Sequence, residues 1–177
     1  MRVLALGGIR SGKSQWAEAT ISRAATSGEV RYVATGAISD GPEWAARVAT
    51  HRQRRPDRWS TVESTDVTSH LLTDRATPTL VDDVGGWLVA TMDRRGAWTG
   101  GDVTPDVDEL VAAVCDFRGP LALVSPEVGL TVVPATESGR RFADALGTLN
   151  QRLAAACDEV VLVVAGQPLT VKGRPST

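Results

Sequence analysis

Residues 2–14 read Arg-Val-Leu-Ala-Leu-Gly-Gly-Ile-Arg-Ser-Gly-Lys-Ser. The apolar run from Arg2 to Leu6 predicts a buried strand, which the two glycines end. Gly7, Gly8, Ile9, Arg10, Ser11, Gly12, Lys13 and Ser14 then fit the pattern Gly-x-x-x-x-Gly-Lys-Ser/Thr in full. Glycine lets the backbone wrap closely enough for successive N–H groups to point at phosphate oxygens. A helix expected from about Gly12 to Ala25 adds the partial positive charge of its N-terminus. In such a loop Lys13 reaches the β- and γ-phosphates, and the Ser14 hydroxyl ligates Mg²⁺. The bland alternative is a Gly-rich strand-to-helix turn, which needs neither Lys13 nor Ser14.

Outward from the loop, short β-branched runs alternate with helical patterns, which predicts βαβ units and an α/β fold with a mainly parallel central sheet flanked by helices. Strands are expected at 30–35, 60–63 (weak), 79–84, 121–125 and 159–165. Helices are expected at about 43–55, after the weak strand, through Met92, and at 106–117. Residues 94–105 read as an exposed loop. The longest helix is placed at 137–157, where Phe142, Leu146, Leu149, Leu153 and Ala156 step by four and three along one core-facing stripe. The tail from Gly173 is expected to be loose. Thr79-Leu80-Val81-Asp82-Asp83 puts an acid at the end of a buried strand. Asp82 is the candidate Mg²⁺ partner of Ser14, and Asp83 fits a helix cap better.

The chain of 177 residues fits one domain, 1–177. Its 19 basic and 21 acidic residues leave a net charge of −2, so no global basic field exists to hold nucleic acid or an anionic membrane. The longest apolar run, Val160 to Ala165, falls far short of the roughly 20 residues needed to span a bilayer. The N-terminal segment lacks the pattern of a signal peptide. Cys115 and Cys157 form no metal or disulfide pattern and read as buried thiols in a reducing, cytoplasmic setting. Only Lys13 and Lys172 are lysines; the other 17 basic residues are arginines.

Local charge is another matter. Arg47, His51, Arg52, Arg54, Arg55, Asp57 and Arg58 give a net excess of about +4 within one short stretch. Arg47, His51 and Arg54 or Arg55 share a helix face. Guanidinium forks suit phosphate oxygens, and an imidazole among them can act as acid, base or nucleophile on phosphorus. A solvated basic face with an incidental histidine is the competing reading. A nucleic-acid platform is disfavoured, since aromatic residues are 5% of the chain and no stacking platform is evident near this stretch. His70 reads as a surface or packing residue.

Taken together, Gly-Gly-Ile-Arg-Ser-Gly-Lys-Ser, Tyr-Val-Ala-Thr-Gly (32–36), Ala-Ala-Arg-Val-Ala-Thr-His-Arg-Gln-Arg-Arg-Pro (45–56), Trp-Ser-Thr-Val-Glu-Ser (59–64), Leu-Val-Asp-Asp (80–83), Ser-Pro-Glu-Val-Gly (125–129) and the segment 140–166 are met in order from residue 2 to about 172. This series resembles the bifunctional adenosylcobinamide kinase / adenosylcobinamide-phosphate guanylyltransferase family. The resemblance implies a P-loop, RecA-like sheet and a homotrimer. It implies phosphorylation of adenosylcobinamide by ATP or GTP, then transfer of GMP from GTP through a guanylylated histidine, placed at His51. Nucleotide contacts then fall on Gly7 to Ser14, Ala34, Thr35, Gly36, Arg52, Gln53, Arg54, Arg55, Glu63 and Asp82, with Glu63 a candidate acceptor for guanine N1 and N2. Catalytic roles go to His51 and Lys13. Three stretches depart from the family pattern: Pro126 stands where Asn is usual, Gly85-Gly86 replaces a hydroxyl-bearing stretch, and 134–140 reads Pro-Ala-Thr-Glu-Ser-Gly-Arg. The alternatives are a P-loop kinase of single activity without a covalent histidine, and a nucleotide-dependent switch or DNA-linked ATPase, which the acidic balance disfavours.

Overall fold

Successive residues of β1 (Arg2–Gly7) face opposite sides of the sheet, as a pleated strand requires. Val3 and Ala5 enter one apolar cluster and Leu4 the other. The computed structural model describes residues 1–36 and 56–173, and the helix expected at 43–55 lies outside them. After β1 come α1 (Lys13–Ala24), β2 (Val30–Ala34), β3 (Trp59–Glu63), α2 (Val67–Thr73), β4 (Thr79–Asp82) and α3 (Val84–Arg95). A short 3-10 turn (Ala97–Thr99), α4 (Thr104–Asp116), β5 (Leu121–Pro126), α5 (Glu137–Ala156), β6 (Glu159–Val164) and β7 (Gln167–Lys172) complete the order. All the strands described form one sheet in the order β3-β2-β4-β5-β1-β6-β7, parallel except for the β6–β7 pair. The α/β expectation holds, and β5 lies between β1 and β4, as in a RecA-like sheet.

Each face of the sheet has its own core. Ala17 and Ile21 of α1 pack with Val3, Ala5, Val30, Tyr32, Leu80, Ala122, Val124, Val161 and Val163. The opposite face carries α2, α3, α4 and α5, with Leu71, Trp87, Leu88, Leu110, Val114, Leu146, Leu149 and Leu153 at its centre. The stripe read on α5 is therefore core. Leu146, Leu149 and Leu153 are fully buried, and Phe142 and Ala156 pack at its margins.

Asp106 on α4 accepts hydrogen bonds from Arg94 (2.7 Å) and Arg95 (2.7 and 3.2 Å) on α3, with its side chain 11% exposed. The Arg95 guanidinium, then that of Arg94, outweigh burial and hold this carboxyl below the usual range. A depressed folded-state pKa stabilises above the unfolded value, and that stability is lost as pH falls through the folded one. Both arginines are about half in water, which discounts the gain. Asp106→Asn is expected to cost about 1 kcal/mol, or about 3 °C of Tm, at neutral pH. Thermal melts against pH check this: the gap to wild type should close as pH falls below about 4, and a gap that persists there would count against the clasp.

Several expectations need correction. Cys115 is exposed, because the buried line of α4 runs through Val107, Leu110, Ala113 and Val114 and leaves 115 on the outer side. Cys157 is buried as expected, and desolvation pushes its thiol up to about 12. The strand expected at 79–84 ends at Asp82, since Asp83 caps α3 by accepting from Gly86 N at 2.8 Å. The loop expected at 94–105 is partly ordered. Ala97 is buried there, Trp98 stacks on Phe142, and α3 stops at Gly96 in the left-handed region (φ 63°). A further strand, 167–172, lies beyond the expected ones. Its side chains are all exposed, so it carries no apolar run, and it is held by pairing with β6. Lys172 anchors its end by donating to the carbonyls of Ala154 (2.9 Å), Ala155 (3.2 Å) and Cys157 (2.6 Å) at the C-terminus of α5, where a cation is favoured.

Candidate nucleotide-binding site

The phosphate loop leaves the sheet at the carboxyl end of β1, the edge at which parallel α/β sheets bind ligands. Two of its glycines are sterically required. A Cβ on Gly7 would lie 2.7 Å from the Val163 carbonyl oxygen and closer still to Ser11 Oγ. Gly12 has φ 94°, and a Cβ there would meet Gly166 Cα at 3.0 Å. Arg10 also takes the left-handed conformation (φ 56°). Ser11 N donates to Gly8 O (3.3 Å), and the Lys13 ammonium reaches back over the loop to Gly8 O (3.2 Å). The first turn of α1 carries no acid, so nothing there offsets its positive end.

The loop is held from both sides. On one, Glu127 N donates to Gly7 O (3.1 Å) just after β5. On the other, Gly166 N donates to Ser11 O (2.7 Å). Gly166 belongs to the two-residue turn joining β6 to β7, where Ala165 (φ 51°) and Gly166 (φ 78°) both have positive φ. That is the type I′ geometry matching strand twist. This hairpin is thus a buttress of the phosphate loop. Its turn signal, a glycine after a β-branched run, was present in the sequence but weak beside a strand with no buried residue.

Glu63, Ala34 and Asp82 lie side by side in register across β3, β2 and β4, at the same carboxyl edge. Thr35 continues the row. Its N–H donates to Asp82 O (3.1 Å), and its hydroxyl donates to the Asp83 carbonyl. Asp82 Oδ2 accepts from the buried Tyr32 hydroxyl at 2.5 Å, a partner that sequence spacing could not reveal. Gly36 follows, exposed at the end of the described stretch, while His51, Arg52, Gln53, Arg54 and Arg55 lie outside the described residues. The structure brings Gly7 to Ser14, Ala34, Thr35, Glu63 and Asp82 to one edge of one sheet.

Two of the departures from the family pattern meet in space. A Cβ on Gly85 would lie 2.9 Å from Pro126 Cγ, and one on Gly86 would lie 2.7 Å from Thr35 Oγ1 and 3.0 Å from Thr35 O. The N-terminus of α3 therefore closes directly on the ends of β5 and β2. Larger residues at 85 and 86 would require these strand ends to move.

A glycine-rich loop between a parallel strand and a helix, with a strand-end carboxylate one strand removed, defines a P-loop nucleotide-binding protein of the α/β class. The match extends well beyond the loop, for the model of the cobinamide kinase / cobinamide phosphate guanyltransferase family covers residues 3–171. The chain belongs to that family. It is 39% identical to the bifunctional adenosylcobalamin biosynthesis protein CobP of Pseudomonas aeruginosa, over 99% of each chain. It is 38% identical to CobU of Escherichia coli, over 97% of this chain and 100% of that one. Among solved structures, the P4 protein of bacteriophage phi6 with ADP covers 98% of this chain and 56% of its own, at TM-score 0.48 and 16% identity. That likeness is too loose to bear on the site.

Proposed function

We propose that this protein is a bifunctional transferase of adenosylcobalamin biosynthesis. It phosphorylates adenosylcobinamide with ATP or GTP and then converts the phosphate to adenosylcobinamide-GDP. The observation that carries the reading is the family match over residues 3–171, which includes a phosphate loop of the required geometry.

In the first step the aminopropanol hydroxyl oxygen attacks the γ-phosphorus, the bond from that phosphorus to the bridging β-phosphate oxygen breaks, the nucleoside diphosphate leaves, and the hydroxyl proton passes to solvent. Catalysis here is mostly positioning and electrostatics. The N–H groups of Gly7 to Ser14, Lys13 and the α1 N-terminus neutralise charge on the phosphates. In the second step a ring nitrogen of His51 attacks the α-phosphorus of GTP and pyrophosphate leaves. The substrate phosphate oxygen then takes the GMP group as the P–N bond breaks. Arg52, Arg54 and Arg55, which follow His51 in the sequence, offset charge on the nucleotide. Gln53 and Gly36 complete the proposed nucleotide contacts, and Glu63 accepts from guanine N1 and N2.

Mg²⁺ fits the donor set. The Ser14 hydroxyl and the Asp82 carboxylate are hard oxygen donors, of the kind that hold this ion jointly with nucleotide phosphates. Among the described residues no cluster of three or more His, Cys, Asp or Glu is poised to hold a metal alone. When bound, it supplies positive charge at the β- and γ-phosphate oxygens.

One domain, residues 1–177, carries both activities in this reading, in the cytoplasm and as a homotrimer. The exposed apolar side chains of Leu130, Val132, Val133, Leu169 and Val171 supply surface for subunit contact. Among the described residues no helix is long and apolar enough to cross a membrane.

The direct test supplies the purified protein with adenosylcobinamide, Mg²⁺ and GTP and follows corrinoid products by chromatography. Adenosylcobinamide phosphate should appear first and adenosylcobinamide-GDP second, with pyrophosphate released in step with the latter. Phosphate without the GDP product would favour the kinase of single activity.

A further inference from the structure

Asn150 sits on the buried face of α5, next to Leu149 and within a turn of Leu146 and Leu153, all fully buried, and is itself 6% exposed. An apolar residue would suit that stripe, whereas a buried amide costs free energy unless its groups are paired. Both are paired, and both to the end of β5. The amide nitrogen donates to Pro126 O (3.0 Å), and the amide oxygen accepts from the fully buried Ser125 hydroxyl (2.6 Å). The orientation is unambiguous, because a carbonyl oxygen can only accept.

Pro126 C=O and Glu127 N–H belong to one peptide group. Its oxygen is held by Asn150, and its N–H donates to Gly7 O at 3.1 Å. Pro126 is also the register partner of Gly7. One rigid peptide plane thus stands between a buried amide on α5 and the first glycine of the phosphate loop. Pro126 has no N–H of its own to share in this.

We propose that Asn150 is a positioning residue for nucleotide binding. By fixing the plane of the 126–127 peptide, with Ser125 fixing the amide in turn, it sets the height and tilt of Gly7 and so the direction of the loop N–H groups that follow. The proposal rests on the phosphate-loop reading and not on corrinoid chemistry. A misplacement of about 1 Å at such a site costs on the order of 100-fold in rate.

The test compares Asn150→Leu, Ser125→Ala and a control, Leu153→Ala, which opens a cavity on the same helix while keeping both Asn150 hydrogen bonds to the end of β5. ADP with Mg²⁺ is the probe, titrated by calorimetry at a temperature where circular dichroism shows every variant folded. Steady-state kcat and KM for the nucleoside triphosphate are measured alongside. Asn150→Leu should bind ADP about tenfold more weakly and lose on the order of 100-fold in kcat/KM, while Leu153→Ala, though less thermostable, stays within about twofold of wild type on both. Equal ADP affinities for Asn150→Leu and Leu153→Ala would overturn the proposal. If Asn150→Leu does not fold, Ser125→Ala decides. About threefold weaker ADP binding supports the device, and wild-type affinity overturns it. ADP binding needs no corrinoid, so a protein inactive on adenosylcobinamide but weakened for ADP by Asn150→Leu would sink the functional reading and leave this one standing.

Discussion

His51→Ala should abolish retention of label from GTP labelled at the α-phosphorus, and lower formation of adenosylcobinamide-GDP by at least about three orders of magnitude. A methyl group offers no lone pair to phosphorus, and water in its place is neither positioned nor as nucleophilic. Phosphorylation of adenosylcobinamide should stay within about threefold of wild type, since the phosphate loop and not the imidazole stabilises the transferring γ-phosphoryl group. The measurement is a denaturing filter assay on protein, Mg²⁺ and labelled GTP. The wild-type adduct should be acid-labile and alkali-stable, as a phosphoramidate is. An adduct of equal size on His51→Ala, or none on wild type while GTP demonstrably binds, would place the covalent step elsewhere or remove it.

Lys13→Met should have the second-largest effect. Methionine keeps much of the side chain's length and loses the ammonium, whose charge acts on β- and γ-phosphate oxygens in a cradle built for it. Removing one such preorganised donor costs about 3–4 kcal/mol, so kcat/KM for phosphoryl transfer should fall by roughly 100- to 1,000-fold. The fold should be nearly indifferent, because among the described residues the ammonium donates to Gly8 O alone, at an exposed position. Initial rates of adenosylcobinamide phosphate formation, read beside a thermal melt, separate the two effects. A variant within tenfold of wild type would mean that another cation serves the γ-phosphate. Gly12→Ala makes a useful companion, since it keeps the charge but puts a Cβ on a residue at φ 94° and only 3.0 Å from Gly166 Cα. It should lose nucleotide binding by a backbone route.

Much of this protein was legible in its sequence because the relevant physics is local. A glycine pair after an apolar strand, with Lys-Ser opening a helix, specifies a phosphate loop within eight residues. The stripe on α5 named its own buried face, since helical period alone decides which side chains line up. Asp83 as a cap and Asp82 as the strand-end acid followed from their order after the apolar run. Cys115 was misjudged because composition speaks of average cysteines, whereas helical phase decides a particular one.

What only the tertiary structure decided are contacts whose partners lie far apart in the chain. Asp82 meets Tyr32 from an adjacent strand, Gly7 is anchored by Glu127, Ser11 by Gly166, and the peptide before Glu127 by Asn150. None of these pairs has a spacing rule, because strand order and register choose the partners, and order and register depend on how both faces of the whole sheet are buried. The sequence by itself determined the class of loop and its chemistry. The sheet's order decided what holds that loop in place.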